Sequence, residues 1–322
     1  MWKLQDIEAA ARVVYREFQA TPQYCWALSS QRLGTDCWIK HENHSPVGAF
    51  KIRGGLTYFD AMNARGELPT EVVSATRGNH GQSIGWAARA HGVACTIIVP
   101  FGNSIEKNAA MRALGVTLIE HGTDFQDARE FAIQLAQARG AHMVPSFHTD
   151  LVRGVATYWW EFFKAVPQLD VAYVPIGMGS GASAAITAKL AMDHPVRIVG
   201  VVSAHATSYA DSISAGRVIA SPVSTKLADG MACRIADQEA LDILIPHLDR
   251  IVLVTDDEVA DAMRHLYADT HNVAEGAGAA AFAAAMQERS LLEGKVVGVT
   301  LCGGNVDAEV FAKVLAGETE FQ

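Results

Sequence analysis

The sequence predicts an α/β protein of two domains, each a mainly parallel sheet flanked by helices. Three observations carry this. Short runs of apolar residues alternate with helical patterns through most of the chain, and strands apolar on both faces belong to parallel sheets covered by helices. Glycine-rich turns follow several of these runs, at the strand ends where open parallel sheets bind ligands. The composition also shifts at His44-Ser45-Pro46 and again at Val144-Pro145-Ser146-Phe147-His148-Thr149-Asp150. These shifts predict a smaller domain, residues 45–145, inserted into a larger one made of 1–44 and 146–322.

Leu4, Ile7, Ala10, Ala11 and Val14 have helical spacing, and Cys37–His41 reads as a short strand. A helix from Ala49 to about Arg65 follows. Val72–Ala75 then precedes a glycine-rich turn and the helix Gln82–His91. Ala94–Val99 leads to Ile105–Leu114, and Val116–Glu120 to Asp124–Arg139. Past the second shift, Tyr158-Trp159-Trp160-Glu161-Phe162-Phe163 marks a helix read as core or dimer packing. Val171–Pro175 runs through Gly177–Gly181 into a helix ending near His194. Ile198–Val202, Ile251–Val254 and Val296–Leu301 complete the strands. The stretch from Ala206 to Pro246 is less regular and reads as the most mobile.

The 322 residues, half of them apolar, suffice for a large core. A net charge of −9 argues against nucleic acid or an anionic membrane as partner. The acidic amphipathic N-terminus is unlike a signal peptide, and the alanine-rich run near Ala279–Ala285 is too short to span a bilayer. Cys25, Cys37, Cys95, Cys233 and Cys302 form no CxxC pair, which suits reduced thiols in a cytoplasmic protein.

The stretch Ser45-Pro46-Val47-Gly48-Ala49-Phe50-Lys51-Ile52-Arg53-Gly54-Gly55 places one lysine in an apolar setting at the start of a helix. Desolvation and the positive end of the helix dipole both disfavour the ammonium there. The amine becomes a nucleophile of the kind a Schiff base needs; the alternative is a lysine snorkelling to solvent. Gly177-Met178-Gly179-Ser180-Gly181 joins strand to helix and suits a phosphate held by backbone amides, or else is only a tight turn. Ala75-Thr76-Arg77-Gly78-Asn79-His80-Gly81-Gln82 is again strand–loop–helix, fit for a carboxylate or for nothing more than capping. Leu301-Cys302-Gly303-Gly304-Asn305 ends the last strand.

In order and approximate spacing, these four motifs resemble the fold-type II pyridoxal-phosphate enzymes, closest to the serine/threonine dehydratase and serine racemase group. The resemblance extends to Asn108–Gly115, Leu227-Ala228-Asp229-Gly230 and Glu275-Gly276-Ala277-Gly278. It implies a tryptophan synthase β-like fold and pyridoxal 5'-phosphate bound covalently at Lys51. Phe50, Asn79, Glu275 and Cys302 would surround the ring, with Gly177, Met178, Gly179, Ser180 and Gly181 at its phosphate. Thr76, Arg77, Asn79, His80 and His148 would meet an amino-acid substrate. The implied activity is α,β-elimination from a β-hydroxy-α-amino acid (serine, threonine, phenylserine or 3-hydroxyaspartate) by a cytoplasmic homodimer. A neutral Cys302 at the ring nitrogen makes a weaker electron sink, which favours elimination.

The sequence departs from that pattern in places. Racemases of the group carry serine where Arg77 stands; an arginine is a poor proton carrier, so racemisation is disfavoured. Arg77 suits a second substrate carboxylate or a structural acid. Val202-Ser203-Ala204-His205-Ala206-Thr207-Ser208 lacks the acids of metal-activated relatives, and no metal is expected. Phe147 and Tyr209 would suit an aromatic substrate, Arg77 and His148 an acidic one. A β-replacement synthase of the cysteine synthase type and a cofactor-free binding protein are the competing readings.

Overall fold

The computed structural model describes residues 1–318. Ten strands form two sheets: β1 (Gln23–Cys25), β2 (Cys37–His41), β3 (Glu71–Ala75), β4 (Ala94–Val99), β5 (Thr117–Glu120), β6 (His142–Met143), β7 (Val171–Pro175), β8 (Arg197–Ser203), β9 (Arg250–Val254) and β10 (Val297–Leu301). The six-stranded sheet has the order β1-β2-β10-β7-β8-β9, and the four-stranded sheet the order β5-β4-β3-β6. All pairings are parallel except β1 with β2. The antiparallel edge strand β1 and the two-residue β6 are too short to show a period, and the sequence reading missed both.

Both sheets are covered on both faces, as apolar parallel strands require. In the smaller one, Val72, Ile97 and Val99 pack to one side, Val73, Ala75 and Ile98 to the other. In the larger one, Ile39, Tyr173, Val199 and Val299 face one core, Ala172, Val174, Ile198 and Val202 the other. The helix Thr149–Ala165 buries Tyr158, Trp159, Phe162 and Phe163, so these aromatics are core. Among the described residues no helix is long and apolar enough to cross a membrane.

Two helix starts differ from the sequence reading and matter for the site. The helix expected from Ala49 begins at Lys51, and the one expected from Gln82 begins at Asn79. The second start is set by Gly78, whose φ of 145° is open to glycine alone. An added Cβ there would also meet the Lys107 side chain at 2.3 Å.

Beside the start of the helix Lys51–Ala64 lies a dry ionic cluster. Arg53 donates to Glu42 (2.8 and 3.0 Å), to Glu161 (2.6 and 3.0 Å) and to Thr157 (2.9 Å). Lys40 donates to Glu161 at 2.7 Å and to the Thr21 carbonyl at 2.7 Å. Buried charges persist where each finds a partner, and these fasten the helix to β2 and to Thr149–Ala165.

Candidate active site

The carboxyl ends of β3, β7 and β10 open onto one cleft, where open parallel sheets bind ligands. It is lined by Phe50, Lys51, Thr76, Arg77, Asn79, His80, Gly177–Gly181, Glu275 and Cys302. Segments far apart in the chain are thus brought together. His148 is the exception among the expected residues and is a correction. Its Nδ1 accepts from the Asp150 amide at 3.1 Å, capping the helix Thr149–Ala165, and its ring packs edge-on to Tyr58. Neither Phe147 nor Tyr209 lines the cleft; the Tyr209 hydroxyl accepts from the Asp237 amide at 3.1 Å.

Lys51 is the first residue of its helix, and Phe50 before it donates its amide to the Cys302 carbonyl at 3.0 Å. Lys51 Nζ lies 4.9 Å from the centre of the Phe50 ring and donates to Ser180 Oγ at 2.9 Å. Burial lowers the pKa of this amine, and only the more distant Cys233, Cys302 and Glu275 oppose the shift. An amine so desolvated keeps more of its lone pair near neutrality.

Facing it is an anion cradle. The amides of Gly177, Met178 and Gly179 have no acceptor among the described residues, and they lead into the N-terminus of the helix Ser180–Ala191. Gly179 has a φ of 91°, and a Cβ on Gly177 would meet the Gly230 carbonyl at 2.3 Å. The backbone can therefore reach a phosphate with no side chain in the way.

Polar contacts join the remaining loops. Thr76 Oγ1 accepts from the amides of Gly78 (2.8 Å) and Gly81 (3.3 Å), and its own proton is left to donate. Asn79 donates to Glu275 at 2.6 Å and accepts from Asn305 at 2.9 Å. Lys107, which the sequence reading did not single out, donates to Asp229 at 2.7 Å. It also sits 3.1 Å from Glu275 Oε2, without an aligned hydrogen bond to that oxygen. Burial raises the pKa of Glu275, with Lys107 opposing and Asp229 adding to the shift. Cys302 Sγ, 3.4 Å from the Ala277 carbonyl, stays a thiol because burial first, and Glu275 next, push its pKa up. Cys233, which nothing in the sequence placed at the site, lines the cleft too.

A desolvated lysine beside an amide cradle for an anion defines an enzyme that holds a phosphorylated carbonyl cofactor. Residues 17–303 match the family described as pyridoxal-phosphate dependent enzyme, and the chain belongs to that family. It is 36% identical over 289 residues to an L-threonine ammonia-lyase of Geobacter sulfurreducens, spanning 89% of this chain and 71% of that protein. It is 29% identical over 321 residues to the L-threo-3-hydroxyaspartate ammonia-lyase of Saccharomyces cerevisiae, spanning 98% of this chain and 97% of that one. Among solved structures, the processed form of threonine deaminase isoform 2 from Solanum lycopersicum matches with a TM-score of 0.88. That match has 27% identity and covers 98% of this chain and 92% of that one. The free amides at Gly177–Gly179 and the enclosed Lys51 amine fit pyridoxal phosphate on this chain's own geometry.

Proposed function

We propose that the protein is a pyridoxal-phosphate dependent ammonia-lyase acting on a β-hydroxy-α-amino acid. The observation that carries this reading is the placement of the Lys51 amine in one cleft with the phosphate cradle and the Thr76–Gly81 turn. Lys51 would hold the cofactor covalently, the amides of 177–181 its phosphate, and Phe50, Asn79, Glu275 and Cys302 its ring. The bound cofactor withdraws electrons from the α-carbon and so makes the α-proton removable.

The chain's own groups do the rest. Thr76 Oγ1 and the N-terminus of the helix Asn79–Ala90 bind the α-carboxylate, where amides and dipole favour an anion. Freed when the substrate's amino group takes its place on the cofactor, Lys51 Nζ takes the proton from Cα and can hand it to the departing β-hydroxyl. Water is lost and then regained as the enamine hydrolyses, so the net products are a 2-oxo acid and ammonia. A homodimer in the cytoplasm belongs to the same reading. It is supported by free cysteines throughout the described residues and by exposed Tyr24 on the edge strand β1 and Leu28 on the helix Ala27–Leu33 that follows it.

For the substrate side chain, we assign a second carboxylate, as in 3-hydroxyaspartate. Arg77 lines the cleft, forms no ion pair among the described residues, and keeps its Nε buried without a hydrogen-bond partner. A structural role would have supplied an acid. Phe125 and Met231 also line the cleft and offer apolar contact to any side chain. The test is 2-oxo acid release from serine, threonine, phenylserine and both 3-hydroxyaspartate diastereomers. One hydroxyaspartate should lead, and Arg77→Met should lower its kcat/KM about 100-fold while changing serine less than about threefold. Equal losses on both substrates would remove the carboxylate role, and no release from any substrate would remove the lyase.

A further inference from the structure

We propose that His80 Nε2 accepts a hydrogen bond from the substrate's β-hydroxyl, so that the cleft selects amino acids with a donor on Cβ. The inference rests on the ammonia-lyase reading and adds a specificity residue to it. His80 stands in the first turn of the helix Asn79–Ala90 and lines the cleft, yet is only 7% exposed. Its Nε2 is buried and has no hydrogen-bond partner among the described residues. A contact with the Pro145 backbone opposes the downward shift of the ring's pKa, and with Nε2 unpartnered we assign the ring proton to Nδ1. Nε2 therefore presents a lone pair.

The ring also stays uncharged. Burial first, and the Lys51 charge next, push its pKa down to about 3. An imidazole held neutral in this tautomer can accept a proton's hydrogen bond at Nε2 but cannot donate one. Nothing else in the cleft uses it. Lys51 is turned to Ser180, Lys107 to Asp229 and Asn79 to Glu275.

The substrate narrows the choice further. Its α-carboxylate, and any side-chain carboxylate, are acceptors and cannot satisfy a lone pair. Its amino group is taken up where the cofactor binds. In a β-hydroxy-α-amino acid the donor left over is the hydroxyl on Cβ. Accepting from it fixes the direction of the C–O bond that breaks, and a substrate without that donor leaves Nε2 unsatisfied.

The test compares α-methylserine with 2-aminoisobutyrate by calorimetry on the holoenzyme. The two differ by one hydroxyl, and neither has an α-proton for Lys51 to remove. The wild type should bind α-methylserine about tenfold more tightly. The ratio should fall to near one in His80→Phe and recover in part in His80→Gln, whose carbonyl restores an acceptor. A second measurement is turnover of serine against 3-chloroalanine, which lacks the donor. His80→Phe should lower kcat/KM about tenfold for serine and less than about twofold for 3-chloroalanine. A wild-type binding ratio near one, a ratio unmoved by His80→Phe, or equal kinetic losses on both substrates overturns the inference. The wild-type comparison holds even if the variants fail to fold. If the binding ratio stands while no β-hydroxy amino acid yields a 2-oxo acid, the lyase reading fails and the donor subsite survives.

Discussion

Lys51 and Arg53 stand two residues apart at the start of one helix, both in dry surroundings, and their neighbourhoods differ in kind. The Arg53 guanidinium has carboxylates on both sides, Glu42 and Glu161, with Thr157 completing its donors. Glu161 is shared in turn with Lys40. Burial would lower the Arg53 pKa, but Glu42 and Glu161 outweigh it and the group is held above its ordinary value. At Lys51 burial wins and the pKa falls. The cleft also leaves polar atoms without a hydrogen-bond partner among the described residues: Arg77 Nε and His80 Nε2. One cluster uses its charges on itself and fastens the fold; the other keeps its donors and acceptors for a ligand. Incomplete pairing is not confined to the cleft, since Asn43 Oδ1, Asn103 Oδ1 and Arg153 Nε are also buried without a partner among the described residues; what sets Arg77 and His80 apart is that they line a cavity a ligand can enter.

This contrast can be broken from either side. Lys51→Ala should have the largest effect, lowering turnover by at least about 1,000-fold. In the cofactor-free protein it should leave thermal stability nearly unchanged or slightly raised, because a desolvated amine with a single hydroxyl partner is removed. Release of 2-oxo acid and a melting curve check both halves. Arg53→Met should do the reverse. It strands Glu42 and part of Glu161 in a dry interior at a cost of about 3–5 kcal/mol, read as a lower melting temperature. Activity should fall only as the folded fraction falls.

A smaller effect concerns acid stability. His80 has its folded pKa near 3 against 6.5 when unfolded, so the unfolded chain binds this proton first as pH drops. The histidine's contribution is complete above pH 6.5 and is lost as pH falls towards 3, at about 1.4 kcal/mol per pH unit. His80→Asn should flatten the stability–pH curve by that slope within this window and leave it parallel to the wild type above pH 7. Parallel curves throughout would show that the ring is not held neutral.

Much of the architecture was legible because its signals are local. An apolar run such as Val171–Pro175 followed by Gly177–Gly181 announces strand, turn and helix within a dozen residues. Phe50, Asn79, His80, Glu275 and Cys302 are expected at one site through the family resemblance, and each lies at a strand end or a helix start that lines the cleft. Lys107 and Asp229 could not be placed there, since they meet across 122 residues of chain and neither is unusual in its own segment. The reciprocal capping by Asp307 and Glu106, in which Asp307 Oδ2 accepts from the Ile105 amide at 3.1 Å and Glu106 from the Ala308 amide at 2.8 Å, is equally non-local. His148 misled for the opposite reason. A histidine in a loop between two composition blocks looks like a pocket residue, and only geometry shows its acceptor nitrogen turned to a helix N-terminus. That Arg77 has no acid partner among the described residues was also beyond the sequence, because it depends on what the other described segments fail to place nearby.

The central claim is that the ε-amine of Lys51 carries the cofactor, and mass spectrometry after borohydride reduction tests it most directly. The account predicts a pyridoxyl label on the peptide containing residue 51 in the wild type, and none on that peptide in Lys51→Ala. A label fixed on Lys107 or another lysine, or no label on a protein that still releases ammonia from its substrate, would contradict it.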